Sequence, residues 1–167
     1  MTTTTLINTG KVAGRRTLHF NSLSEMVADA ENLATAEKAE RLSKLGNWSL
    51  GQALCHVASW IDYGFDGYPF KAPWIVKLVM RPFKGRFING PMPSGRKIPK
   101  IPTGTVGADA ISADEGIAKL RAAAQRLEAE SPSIPNILFG YLPHDQWIAV
   151  NLRHAELHFS FFRAFSV

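Results

Sequence analysis

The sequence predicts an all-α protein, an antiparallel four-helix bundle with a long irregular basic connection between its second and third helices. Four segments place apolar residues at helical spacing, and three of them begin with a Ser followed three residues later by Glu or Gln, the capping-box pattern. Helices of this number and length suit an antiparallel bundle with inward-facing functional side chains. A chain of 167 residues fits one domain with a sizeable core, so we expect a flexible N-terminus over 1–14 and one domain over 15–167.

Start and stop residues set the predicted boundaries. Capping boxes at Ser22/Glu25, Ser49/Gln52 and Ser112/Glu115 begin the first three helices, and Pro143 is a favourable first-turn residue for the fourth. Gly or Pro residues follow the predicted ends of the first three helices. The predicted helices run roughly from Ser22 to Leu45, from Ser49 to Phe65, from Ser112 to Glu130 and from Pro143 to Phe165.

The connection from Phe70 to Gly107 is basic and rich in Pro and Gly, with no acidic residue between Asp66 and Asp109. We expect a short helix over Trp74–Met80 and irregular structure elsewhere. Its many apolar residues argue against disorder and predict that it packs over the bundle, since long connections of this kind are commonly lids or binding loops. Its cations would leave a positive rim that favours a carboxylate or phosphate-bearing substrate. We expect this substrate to be contacted by Arg96, Lys97 and Lys100.

Composition narrows the class of protein. Hydrophobic residues make up 46% and charged residues 20% of the chain, which is typical of a soluble globular protein. No apolar run approaches the ~20 residues that cross a bilayer, so we expect no membrane partner. The single Cys55 excludes an intramolecular disulfide and a closed thiolate metal site, and it is consistent with a cytoplasmic location.

Two histidines, His154 and His158 in the segment HAELH, carry the most specific functional signal. Residues four apart on a helix project from the same face, where one metal ion can reach both. The pair lies on the stripe predicted to face the core, where unpaired polar nitrogens are costly. Metal coordination satisfies them, but hydrogen bonds to neighbouring helices would do so equally well, and the pair alone slightly favours the latter.

His56 shifts the balance towards a metal. It lies in the middle of the apolar stripe of the second helix, so packing that helix against the fourth would bring it towards the pair. Three neutral nitrogen donors with one open position are typical of catalytic sites, whereas structural zinc sites close all four positions. Such a metal would lower the pKa of a bound water or thiol, which would then be the attacking group.

These residues resemble a known family. The segments GNWSLGQALCHVASWIDYG and FGYLPHDQWIAVNLRHAELHFSFF are similar to the DinB/YfiT-like metalloenzyme superfamily, in a branch without assigned function, and the resemblance covers roughly Gly14 to Phe165. It implies a four-helix bundle with His56, His154 and His158 at the metal-ligand positions. It also implies a divalent transition metal, zinc or nickel first, and for some relatives a low-molecular-weight thiol used in a transferase or isomerase reaction.

Other polar residues near the predicted site receive lesser roles. Tyr63 and Asn151 could hold a substrate or orient a ligand, although each could equally be a satisfied core residue. Glu156 lies about 160° from the histidine face and is predicted to be solvated. His144 is ten residues before His154, about 15 Å along the helix axis, and is predicted to lie outside the site.

Two classes of function follow from the sequence. The first is a metal-dependent enzyme that acts on a small molecule. Such an enzyme could be a monomer or a homodimer. The alternative is a non-catalytic anion- or nucleic-acid-binding helical bundle that uses the basic 71–100 segment, as a net charge of +5 would allow. The basic residues are interleaved with prolines and form no recognition motif, which argues against nucleic acid.

Overall fold

The computed structural model describes residues 6–99 and 101–166. Lys100, one of the predicted substrate contacts, lies outside the described residues. In chain order the main elements are α1 (Leu23–Lys38), β1 (Leu42–Lys44), α2 (Leu50–Asp66), α3 (Trp74–Met80), α4 (Lys84–Asn89), α5 (Ala113–Ala129), α6 (His144–Phe159) and β2 (Phe162–Ala164). Short 3₁₀ turns at Thr9–Lys11 and Arg81–Phe83 complete them.

The predicted all-α four-helix bundle is wrong, because the helices are joined by a small antiparallel sheet and the fold is mixed α/β. In that sheet β1 pairs with β2, with Ser43 opposite Arg163 at its centre. Both strands lie where the sequence predicted the last turns of a helix, in the first and fourth helices respectively.

The early end of α1 explains the error at β1. Glu40 has a left-handed backbone (φ 54°), and the Arg41 N–H donates to the Ala36 carbonyl over 2.8 Å, which closes the helix end. This geometry usually calls for Gly or Asn, and neither occurs between Lys38, the last residue of α1, and Gly46. At the other end of the chain, pairing with β1 accompanies the burial of Phe162, which local helical spacing does not indicate.

The helix starts agree closely with the sequence. Ser49 and Ser112 form complete capping boxes with Gln52 and Glu115, and Ser22 accepts a hydrogen bond from the Glu25 N–H. These contacts satisfy N–H groups that the first turn leaves free, so they fix where each helix begins.

Helices α2 and α5 lie very close to each other because two glycines remove side chains between them. A Cβ on Gly51 would lie 2.0 Å from the Ile111 carbonyl oxygen, and one on Gly116 would lie 2.8 Å from Leu54 Cβ. Helix α6 packs against both α1 and α2 around one apolar core that includes Trp147 and Phe159. The face of α2 that carries His56 is directed towards α6.

The connection agrees only in part with its prediction. The helix over Trp74–Met80 is confirmed, but Arg81–Phe83 and Lys84–Asn89 are also helical, and the described residues of the connection after Asn89 are irregular as expected. Met80, Phe87 and Met92 pack against the core, as expected. Trp74 and several apolar neighbours do not pack, and their exposure is described below. No helix among the described residues is long and apolar enough to span a membrane.

Candidate metal centre

Three imidazoles from two helices converge between α2 and α6. His56 is buried in the middle of α2, and His154 and His158 lie one turn apart on α6, where each is partly buried. One ring nitrogen from each residue lies within 4.8 Å of the others. The Nε2 atoms of His154 and His158 are 3.1 Å apart.

A backbone carbonyl orients His56. Its Nδ1 lies 2.8 Å from the Val106 oxygen, which can only accept, so Nδ1 carries the proton and Nε2 keeps a free lone pair. Metal-binding histidines are commonly held by such a second partner, which fixes the tautomer and the ring direction. Val106 ends the basic connection, so this loop supports the site through its backbone.

Two indole rings enclose the three imidazoles. Trp48 stacks on His158 with ring centroids 5.2 Å apart and planes inclined by 14°, and it also contacts His56. Trp60 contacts His56 and His154 at centroid distances of 5.7 and 5.4 Å. The indoles hold the imidazoles between apolar surfaces and limit the access of water.

This environment keeps the imidazoles neutral. Burial lowers the pKa of His56 to about 4, although its hydrogen bond to Val106 acts in the opposite direction. Burial also lowers the pKa values of His154 and His158 well below the usual value, and positive charge on a neighbouring imidazole would lower them further. Only a neutral imidazole offers a lone pair to a metal, so at neutral pH all three are in the form that coordination needs.

The three imidazoles could hold a metal ion. Ligand nitrogens around a four-coordinate ion with bonds of 2.0–2.1 Å are separated by about 3.3 Å. The Nε2 atoms of His154 and His158 are close to this spacing at 3.1 Å, and one ring nitrogen of His56 lies within 4.8 Å of theirs. His154 and His158 are each only partly buried as residues, whereas His56 is buried.

A largely apolar cavity of about 160 Å³ adjoins His154. Asn151, Trp60 and Tyr68 line it together with aromatic and aliphatic side chains. Trp60 lines this cavity, and its buried Nε1 has no hydrogen-bond partner among the described residues. A wider depression of about 400 Å³ beside β1 contains none of the three histidines.

The other predicted contacts are dispersed. Asn151 is buried beside His154 and donates from Nδ2 to the Trp147 carbonyl over 2.9 Å, which leaves its oxygen directed elsewhere. Tyr63 lies against Gly107 and outside the cavity lining. Arg96 and Lys97 are exposed and are not among the residues that line the cavity, and the positive rim stays a prediction.

Sequence reasoning missed several supports of the site. Trp48 is distant in sequence from His158, and Val106 from His56, so no local pattern indicates these two contacts. Glu156 is buried rather than solvated, paired with Arg153 on the side of α6 away from the histidines. A carboxylate three residues after an arginine on one helix was the available signal for that pair.

Comparison with known proteins gives one match. No curated protein and no solved structure matches the chain. A family model described as "Protein of unknown function (DUF1569)" matches residues 12–164, a range that contains all three histidines and both indoles. The chain therefore belongs to the DUF1569 family.

Proposed function

We propose that this protein is a metal-dependent enzyme in which His56, His154 and His158 hold one divalent transition metal, with zinc and nickel as the first candidates. The observation that carries the proposal is the convergence of three neutral imidazoles from two helices, with two Nε2 atoms 3.1 Å apart. The relation to DinB/YfiT-like proteins is part of the same proposal and rests on the residues quoted above.

The alternative for the cluster is a metal-free hydrogen-bonded core, and the geometry favours it less. In a neutral His154–His158 pair, one Nε2–H donates to the other Nε2. The Nδ1–H of His56 donates to the Val106 carbonyl. The His56 Nε2 lone pair then faces the pair without a donor of its own. If His154 and His158 each carry the proton on Nδ1, all three residues offer an Nε2 lone pair, and one cation satisfies them together.

The size and lining of the neighbouring cavity suit a small and mostly apolar substrate. Its volume is close to the roughly 150 Å³ of a dry protein cavity that admits benzene, so a ligand of about one ring fits. Among the lining residues Asn151 carries a polar side chain that would orient such a ligand.

Each residue then has a defined task. His56, His154 and His158 would hold the metal, which would supply the means to lower the pKa of a nearby water or thiol. Val106 fixes the direction of His56, and Trp48 and Trp60 exclude bulk water from the imidazoles. We propose a thiol-dependent transferase or isomerase, in which a low-molecular-weight thiol occupies the open side. The apolar cavity lining does not favour an anion- or nucleic-acid-binding role for this site.

Metal analysis of protein purified without a histidine tag tests the centre. We expect close to one transition-metal ion per chain, and strongly reduced occupancy in His154→Ala and His158→Ala, with helical content by circular dichroism largely retained. His144→Ala is the matched control, because His144 lies on the same helix, contacts the Leu127 carbonyl and takes no part in the cluster. Unchanged occupancy in both site variants would place the metal elsewhere.

Calorimetric titration with low-molecular-weight thiols tests the finer proposal. Binding should require the metal-loaded protein and should be lost in His158→Ala. Metal-loaded protein that binds no thiol, yet retains the ion, would refute the thiol-dependent chemistry while leaving the metal centre intact.

A further inference from the structure

The α3 helix exposes an apolar surface to solvent. Its outward side chains are between 48% and 74% exposed, although they are large and hydrophobic. We name this set the α3 face, and it consists of Trp74, Ile75, Leu78, Val79 and the adjacent Phe83. A contiguous patch of this kind is unusual on a soluble monomer and commonly marks a binding surface.

The helical arrangement separates this face from the side that packs. With 100° of rotation per residue, Trp74, Leu78, Ile75 and Val79 occupy about 140° of arc. Met80 and Phe87 turn the other way and pack against the core, and Phe87 lies 5.6 Å from Phe139 between ring centroids. The segment is thus anchored from beneath while the α3 face remains outside.

Positive charge surrounds the α3 face. Lys77 and Arg81 follow one edge of the helix, while Lys71, Lys84 and Arg86 lie before and after it. Residues 67–108 contain eight Lys or Arg and no Asp or Glu, so the remainder of the chain is net acidic. The cationic and the exposed apolar character of the protein are therefore concentrated in the same segment.

We propose that the α3 face docks on the surface of an anionic lipid bilayer. Apolar and aromatic side chains enter the boundary between headgroups and acyl chains, while Lys and Arg contact the anionic headgroups, so one partner satisfies both features. Docking at the surface needs no spanning helix. It is also independent of the metal centre.

Other kinds of partner match either the apolar side chains or the positive charges of this surface, but not both. A second copy of the chain joined through the same face would bring two sets of cations together, with no carboxylate from that face to pair them. Nucleic acid would neutralise the cations but would leave the aliphatic side chains Ile75, Leu78 and Val79 in water.

Vesicle co-sedimentation of the full chain tests the proposal. The protein should bind mixed phosphatidylcholine–phosphatidylglycerol vesicles and not phosphatidylcholine alone, and added salt should weaken the binding. The shortened emission wavelength expected of Trp74 in a less polar environment should accompany binding and should be absent in Trp74→Phe.

Two sets of variants separate the apolar and the charged contributions. Trp74→Ser/Leu78→Ser/Val79→Ser changes only exposed residues, so the fold should persist while binding is lost. Lys77→Gln/Arg81→Gln/Lys84→Gln should weaken partitioning by on the order of 100-fold. Lys11→Gln/Lys44→Gln/Lys119→Gln removes the same charge from other exposed positions and should retain most of the binding.

Three results would overturn the proposal. One is the absence of binding to anionic vesicles by the folded protein, and another is equal binding by the α3-face variant. The third is a concentration-dependent dimer in analytical ultracentrifugation that this variant abolishes without any vesicle binding by the parent, which would assign the face to a second copy.

Discussion

At the residue scale, the protonation of buried imidazoles links the candidate site to stability. The folded protein holds His56 with a pKa of about 4, below the ~6.5 of the unfolded chain, because burial disfavours the charged ring. The unfolded state therefore binds more protons as the pH falls, and the stability that is present above ~6.5 is lost as the pH falls towards 4.

Urea unfolding of the metal-free protein measures this effect. Between about pH 7.5 and about pH 5, His56 alone should remove about 2 kcal/mol from the free energy of unfolding, and His154 and His158 act in the same direction. His56→Gln should show a shallower pH dependence, since the groups shared by both proteins cancel in the comparison. Identical slopes would contradict the buried neutral state of His56.

The buried Arg153–Glu156 pair permits a second prediction at this scale. The Arg153 Nη2 lies 2.8 Å from the Glu156 Oε1, which also accepts from the Phe20 N–H, and both side chains are nearly inaccessible. Burial raises the pKa of Glu156, while Phe20, Arg153 and His19 act to lower it. The pair thereby joins α6 to the segment before α1.

Removing one partner should be costly. Glu156→Ala leaves a buried guanidinium without its carboxylate and should lower the free energy of unfolding by about 3–5 kcal/mol. Glu31→Ala is the matched control, because Glu31 and Arg121 form an exposed pair at 2.6 Å that should contribute at most about 1 kcal/mol. Both variants are measured by chemical denaturation. Equal losses of unfolding free energy would show that burial does not increase the cost of removing one partner of an ion pair.

At the scale of elements, the close approach of α2 and α5 depends on a glycine. Gly51→Ala places a methyl group against the Ile111 carbonyl, a backbone atom that cannot rotate away, and should destabilise the protein by about 1–3 kcal/mol or more. Gly85 lies in α4, where an added Cβ would have no neighbour within 4 Å, so Gly85→Ala should be neutral or stabilising by up to about 1 kcal/mol. Thermal unfolding of both variants should show shifts of unequal size, and a similar shift in both would refute the close contact.

At the scale of the whole molecule, the metal would join two helices that are distant in sequence. His56 and His154 are separated by almost a hundred residues, so binding to the folded state should stabilise the entire fold. At a metal concentration of about one hundred times Kd, the gain should be about 2.7 kcal/mol, or roughly 5–10 °C in Tm.

Thermal scans with and without added metal measure this stabilisation. A chelator should reverse it, and the His154→Ala/His158→Ala double variant should show no response. A full response in that variant would assign the metal to different ligands.

The sequence determined the features that depend on near neighbours. Capping boxes and apolar spacing located the starts of the long helices, because hydrogen bonds three or four residues apart set those positions. The same spacing placed His154 and His158 on one face, and the central position of His56 on its stripe indicated the third member of the cluster.

Tertiary structure decided the contacts between distant segments. The β1–β2 pair replaced two predicted helix ends because pairing and burial of Phe162 outweighed local propensity, and Glu40 closed α1 without the usual glycine. Val106 reaches His56 across fifty residues, and the partners that bury Glu156 come from beyond its own helix. The exposure of the α3 face likewise depends on tertiary packing. The apolar character of a residue favours burial but does not specify the partner that buries it.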